Sequence, residues 1–174
     1  MELLVIRHAI ALDREEFAET GVSDDLRPLT KGGRAKMRRE APALARLVPG
    51  VQLLVASPLV RARDTAAILE RAYEGVMVET EESLRPDAAP SEFTRWLRGQ
   101  PEVDTVAAVG HEPHLGMLVS WLLARRRTPF VSLKKGGACL LAFDEPPREG
   151  RARLVWAMPP AALRALAASD RASR

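Results

Sequence analysis

Leu3-Leu4-Val5-Ile6-Arg7-His8-Ala9 opens the chain with four branched apolar residues, then a guanidinium and an imidazole. An apolar run without polar alternation marks a strand buried on both faces, as in a parallel sheet. A strand over 2–6 therefore presents Arg7 and His8 at its carboxyl end. That is the edge where open α/β sheets bind ligands. The planar fork of an arginine suits phosphate, and a histidine beside it can attack phosphorus through a ring nitrogen. Alone the dipeptide is weak, because any strand can end in a hydrogen-bonded histidine.

Two further strand ends strengthen it. Leu53-Leu54-Val55-Ala56 runs into Ser57-Pro58-Leu59-Val60-Arg61, where Ser57 is expected to cap a helix whose first residue is Pro58. Arg61 then lies one turn into that helix, near amides that already favour an anion. Its plainer alternative is a surface ion pair with Asp64. Thr105-Val106-Ala107-Ala108-Val109 runs into Gly110-His111-Glu112-Pro113, with Gly110 for a sharp turn and His111 at the strand exit. If the three strands are parallel, Arg7, His8, Arg61 and His111 converge at one sheet edge around a phosphoryl-sized point.

Arg7-His8, Ser57-Pro58-x-x-Arg61 and Gly110-His111 resemble, in order and context, the histidine phosphatase superfamily, also called phosphoglycerate-mutase-like. More narrowly, the chain is similar to the small phosphohistidine phosphatases of the SixA type. Arg27-Pro28-Leu29-Thr30, Gly32-Gly33 and Trp156-Ala157-Met158-Pro159 support the likeness, which covers roughly residues 1–160. The resemblance implies His8 as nucleophile, Arg7, Arg61 and His111 as catalytic and substrate-binding partners, and a reaction needing no cofactor or metal. His111 would donate to the phosphoryl oxygens as imidazolium or through a fixed tautomer. Asp64 stands where family members often carry Gln, a departure expected to touch local helix contacts more than chemistry. In phosphoester-cleaving relatives a Glu shortly after the third strand protonates the leaving oxygen. Here Ser83-Leu84-Arg85-Pro86-Asp87 occupies that stretch, so Asp87 and Glu82 are the candidate proton donors, neither a clear match.

The remaining pattern gives strands over 52–56, 76–79, 104–109, 138–143 and 153–157, the last two as a hairpin. Helices are expected over 31–48 with Thr30 as cap, 58–73, 91–99 and 113–126. Pro42 should kink or divide the first of these. Phe93, Trp96 and Leu97 read as core rather than a ligand platform. Residues 7–29 read as one long loop, with Arg27 and Thr30 bordering the site. Alternating strands and helices imply an α/β domain with helices on both sheet faces, a three-layer αβα sandwich. The resemblance adds a mixed, mostly parallel sheet, and implies that the large helical lid of bigger relatives is missing, since only some ten residues join strand 76–79 to the next helix. Residues 1–160 are read as a single domain, and 161–174 as a terminal helix fading into a polar tail after about 168.

Composition sets the bounds. The 174 residues, 47% hydrophobic and 28% charged, fit one globular domain. No apolar run is long enough for a membrane span, and the first strand leaves no room for a leader. One cysteine, Cys139, excludes an internal disulfide, suits a reducing cytoplasm and reads as a buried strand residue. The net charge is +3, with basic clusters at Arg125-Arg126-Arg127 and Lys134-Lys135. Without a helix-turn-helix signal or aromatic platform they read as solvated loops, or as contacts for an acidic partner, and not as a nucleic-acid site. His111-Glu112-Pro113-His114 invites a metal reading, but Pro113 puts His111 ahead of the helix and spoils the shared face. His114 is read as a helix-start or rim residue.

Three functions compete at this point. A protein phosphohistidine phosphatase leads, acting on a phosphorylated protein in the cytoplasm. A phosphatase for small phosphomonoesters or phosphoanhydrides comes second. A non-catalytic phosphate- or partner-binding module is third.

Overall fold

The computed structural model describes residues 1–100 and 102–172. Strands β1 (Glu2–Arg7), β2 (Leu53–Ala56), β3 (Val78–Thr80), β4 (Thr105–Gly110), β5 (Ala138–Ala142) and β6 (Arg153–Met158) form one sheet in the order β3-β2-β4-β1-β5-β6. The first four are mutually parallel, β5 runs antiparallel to β1, and β6 runs antiparallel to β5 at the sheet edge.

Burial along β1 shows why the sheet takes this form. Leu3, Leu4, Val5 and Ile6 are all fully buried. Leu4 and Ile6 pack into a core shared with α2 (Lys31–Leu47), α3 (Val60–Ala72) and α6 (Pro160–Ala172), through Met37, Leu44, Leu69 and Leu163. Leu3 and Val5 point into a second core with α4 (Pro90–Arg98) and α5 (His114–Ala124), through Phe93, Leu97, Leu115 and Leu118. Each such side chain contributes roughly 1.5–3 kcal/mol on burial, so a strand with no polar face is stable only between two helical layers. The expected three-layer α/β sandwich with a mixed, mostly parallel sheet is therefore the architecture.

Register fixes the functional edge. Arg7 pairs with Gly110, and Ala56 with Val109. The His8 amide donates to the Gly110 carbonyl at 3.0 Å, and the Ser57 amide to Val109 at 2.9 Å. The residues that leave β1, β2 and β4 thus emerge side by side. Thr30 caps α2 as expected, accepting the Gly33 amide at 2.8 Å. Gly33 is packed so tightly that a Cβ there would lie 2.0 Å from the Ile10 carbonyl oxygen, which seats α2 against the segment after His8.

Several expectations fail. Residues 7–29 are not one structureless loop but contain α1 (Arg14–Ala18) and a 3-10 turn, Asp24–Leu26. Neither buries any residue, so no apolar period announced them; Asp13 caps α1 through the Glu15 and Glu16 amides. Pro42 does not divide α2, which continues from Lys31 to Leu47. The carbonyl that loses its partner belongs to Arg38, an exposed residue open to water, while Ala41, Ala43 and Leu44 hold the helix in the core. The α6 helix extends to Ala172 instead of fading after 168, and Leu163 and Ala167 seat it in the core. The end of the expected polar tail, 173–174, lies outside the described residues. Residues 81–89 join β3 to α4 through a 3-10 turn at Glu82–Leu84, without a helical lid. No described helix is long and apolar enough to cross a membrane.

Candidate active site

His8 sits at the exit of β1 and is 5% exposed. Its Nδ1 lies 2.7 Å from the Ala9 carbonyl oxygen. A carbonyl can only accept, so Nδ1 carries the proton and Nε2 keeps its lone pair. Burial drives the imidazole pKa down to about 3; the bond to Ala9 opposes this, and the charges of Arg61, Arg7 and Arg27 add to it. His8 is therefore neutral at ordinary pH, with the free nitrogen a nucleophile needs. The Thr65 hydroxyl, donating to Arg61 O at 2.7 Å and accepting the Ala9 amide at 3.0 Å, ties this turn to α3.

Arg7 donates through Nη1 to Leu133 O at 2.7 Å. The Leu133 amide donates in turn to Glu112 Oε1 at 2.7 Å, and Glu112 Oε2 accepts the Gly116 amide at 3.2 Å. Glu112, unremarked in the sequence except as part of its turn, thereby anchors the segment that orients Arg7.

Arg61 is 4% exposed and does not pair with Asp64. Its Nη2 meets Asp24 Oδ2 at 3.1 Å, and its Nη1 donates to Asp24 O at 2.9 Å. Asp24 also accepts from Arg27 Nε at 2.7 Å, while Arg27 Nη1 reaches Leu12 O at 2.6 Å. Burial alone would raise the Asp24 pKa; the Arg27 hydrogen bond and the charges of Arg61, Arg27 and Arg14 outweigh it and hold the carboxyl below its usual range. Sequence reasoning missed Asp24, whose only signal was Ser23-Asp24-Asp25 inside the segment taken as loop. Asp64 instead accepts from Arg34 of α2 at 2.6 Å and from the Leu29 amide in the preceding loop at 3.5 Å.

His111 is 2% exposed, its ring centroid 5.0 Å from that of His8. Its Nε2 lies 2.8 Å from Ser57 Oγ. This corrects the expected role of Ser57: α3 begins at Val60 with Leu59 in the cap position, and Ser57, while accepting the Leu59 amide at 3.5 Å, meets the histidine. Burial, helped by His8, Arg61, His114 and Arg27, lowers the His111 pKa to about 2. The neutral imidazole, not the imidazolium, is thus the resting form. His114 starts α5 but is not a rim residue; it is fully buried, lowered to about 4 by desolvation, with the Asp87 carboxylate opposing.

Arg7 Nε, Arg61 Nε and His111 Nδ1 are buried and find no hydrogen-bond partner among the described residues. Buried donors without partners are costly. A tetrahedral oxyanion placed between them would satisfy the arginine donors, and His111 Nδ1 in the tautomer that protonates it. The two candidate acids sit on the 81–89 connection, whose Arg85 meets Asp25 at 2.6 Å beside the Asp24 that holds Arg61. Glu82 and Asp87 have side chains 75% and 86% exposed and flank Arg85 at 3.8 and 3.9 Å. The basic run at 125–127 is surface, with Arg125 near Glu149 at 3.6 Å.

The sequence profile of the histidine phosphatase superfamily (branch 1) matches residues 3–86. An uncharacterized protein of Picosynechococcus sp. is 34% identical over 157 residues, 88% of each chain. The solved structure of the protein histidine phosphatase SixA complexed with tungstate superposes with a TM-score of 0.80 at 25% identity, covering 94% of this chain and 99% of that one. The chain belongs to the histidine phosphatase superfamily. Within it the likeness is to the SixA type. The alpha-ribazole phosphatase of Shigella flexneri shares the histidine phosphatase fold at 16% identity and a TM-score of 0.71, over 92% of this chain and 97% of that one.

For this member of the superfamily, Arg61→Lys is an informative change. Lysine keeps the charge but loses the planar fork that both faces Asp24 and offers Nε inward. Turnover of an aryl phosphate is expected to fall at least about tenfold, roughly 1.4 kcal/mol of transition-state stabilisation. Vanadate inhibition should weaken in parallel. Steady-state kinetics that match the wild type on both counts would assign Arg61 to structure alone.

Proposed function

We propose that this chain hydrolyses phosphohistidine in proteins, without a metal ion, through a covalent phosphohistidine formed on His8. The observation that carries this reading is the Nδ1-protonated, neutral His8 beside two arginines, half-buried Arg7 and buried Arg61, whose buried Nε groups are unpartnered. His8 Nε2 attacks phosphorus in line while Arg7, Arg61 and His111 take the equatorial oxygens, so positioning and charge neutralisation do most of the work. The P–N bond of the substrate breaks and its imidazole leaves. Water then attacks the phosphoenzyme, releasing inorganic phosphate and restoring His8.

Two features favour a phosphorylated protein over a small metabolite. The short 81–89 connection leaves the edge open to a large partner. The candidate acids are solvent-exposed and tied to Arg85, whereas an alkoxide leaving group needs a proton and general acid catalysis is worth about 10²–10⁴-fold. A phosphohistidine protonated on its other ring nitrogen leaves as neutral imidazole and needs less. The single buried thiol, Cys139, pushed up to about 12 by desolvation, suits a reducing cytoplasmic setting.

Asp87 supports the second reading, a small-molecule phosphomonoester or phosphoanhydride phosphatase. Its carboxylate acts electrostatically on buried His114, so it lies near the active edge. A substrate panel separates the two. Phosphohistidine protein should be turned over faster than alkyl phosphates, with Asp87→Asn and Glu82→Gln each changing the phosphohistidine rate less than about threefold. A loss of about a hundredfold in either variant would show a carboxylic acid at work. Faster turnover of an alkyl phosphate would replace the first reading by the second. Activity abolished by a chelator and restored by metal would end the metal-free mechanism.

A further inference from the structure

Beside the His8 turn lies a cleft of about 110 Å³ lined by Ala9, Ile10, Lys36, Glu40, Lys135 and Arg164, among others. At about 30 Å³ per water, it has room for one small polar group. Two contacts bind it to the catalytic strand end. Gly33, one turn before Lys36 on α2, rests on the Ile10 carbonyl. The Gly136 amide donates to Arg7 O at 3.1 Å and His8 O at 3.2 Å, so the Lys134-Lys135 turn is fastened to the residues that carry the site.

The charges of the cleft do not cancel. Glu40 is 2% exposed and its carboxylate is engaged by Arg164. It also lies against Gly136, where a Cβ would come within 2.5 Å of Glu40 Oε2. The buried acid is thus spent on Arg164 and on shaping the turn. Lys36 and Lys135 remain, both exposed and with no carboxylate at ion-pair distance among the described residues; the charge of Lys36 acts on Glu40, but that acid is already engaged by Arg164. Two unpaired ammonium groups over a small polar cleft, directly beside a phosphoryl site, raise the local concentration of anions.

We propose that this cleft is an anion subsite, in which Lys36 and Lys135 receive a second negatively charged oxygen group of the substrate while the phosphoryl group sits at His8. Under the phosphohistidine reading, on which this inference rests, that group is an Asp or Glu side chain near the phosphohistidine. A small bisphosphorylated molecule would offer the same chemistry through its second phosphate.

The test uses phosphohistidine peptides carrying one Asp at each position from three before to three after the phosphohistidine, each compared with its Asn counterpart. In the wild type, at least one position should show a kcat/KM ratio of Asp to Asn of about five- to tenfold, expressed mainly in KM. The ratio should collapse toward one in K36A/K135A, and in the wild type at 0.5 M salt, where exposed charges are screened within a few ångströms. Because the readout is a ratio within one protein, a partly folded variant does not distort it. A wild-type ratio near one at every position, or a preference undiminished in the variant, overturns the subsite.

If no peptide is turned over while an aryl phosphate is, the phosphohistidine reading fails and the subsite is judged on inhibitors. Methylenebisphosphonate should then inhibit aryl phosphate hydrolysis at least fivefold better than methylphosphonate, with the advantage lost in K36A/K135A. Equal inhibition by the two compounds, or an advantage kept in the variant, overturns it.

Discussion

Replacing His8 by Ala is expected to abolish both turnover and the phosphoenzyme. The ring that is lost carries the one nucleophilic nitrogen that the Ala9 carbonyl leaves unprotonated. Arginines and His111 would still bind the phosphoryl group, but nothing would accept it. For residues acting as a unit, loss of the nucleophile alone costs on the order of 10⁴-fold or more, above 5 kcal/mol of barrier. Rapid quench with labelled substrate should show an acid-labile, alkali-stable phosphoenzyme in the wild type and none in the variant. A His8→Ala protein that still turns over within tenfold of wild type, or still traps phosphate, would remove His8 from the chemistry.

Acid should unfold this protein earlier than its carboxylates would. All three of its histidines, His8, His111 and His114, are buried, and desolvation first of all depresses their pKa values to about 3, 2 and 4. In the unfolded chain each returns to about 6.5. Below that value the unfolded state takes up protons that the folded state refuses, so stability is full above about pH 6.5 and drains as pH falls toward 4. Each histidine contributes about 1.4 kcal/mol per pH unit, and the three together about 4, once the unfolded chain is fully protonated. Urea melts at pH 7.5, 6.0, 5.5 and 5.0 should show a steepening loss, and His114→Leu should remove about a third of the slope. Equal stability at pH 7 and pH 5 would mean that the histidines are solvated in the folded state. Activity on the acid side should accordingly fail by unfolding rather than by protonation of His8.

The sequence announced the parts of the fold that are buried continuously. Leu3 through Ile6 and Val106 through Val109 have no polar alternation because both faces are covered, so strand type, sheet edge and the convergence of Arg7, His8, Arg61 and His111 could be read from them. What it concealed was local and polar. Asp24 reaches Arg61 from a 3-10 turn with no buried residue, and such a turn leaves no hydrophobic period to detect. Ser57 fits the composition of a helix cap, yet its hydroxyl faces an imidazole at the exit of another strand, a pairing set by sheet order rather than chain order. Pro42 obeyed packing over local backbone preference. Glu112 is joined to Arg7 by hydrogen bonds through the Leu133 peptide group, a link between strand end and distant loop that no spacing rule encodes.

The Asp24 carboxylate on the Arg61 fork also bears on how the molecule would let go of what it makes. Three guanidiniums around one point, with nothing to offset them, would hold a free dianion long after the bond to it had broken. Asp24 stands behind Arg61 and Arg27, fixing both side chains in place while lending them part of its own charge. The cradle is stiff without being sticky. Inorganic phosphate, once formed, leaves a site whose positive field is already partly answered from within, and the next substrate arrives at a guanidinium that needs no reorientation.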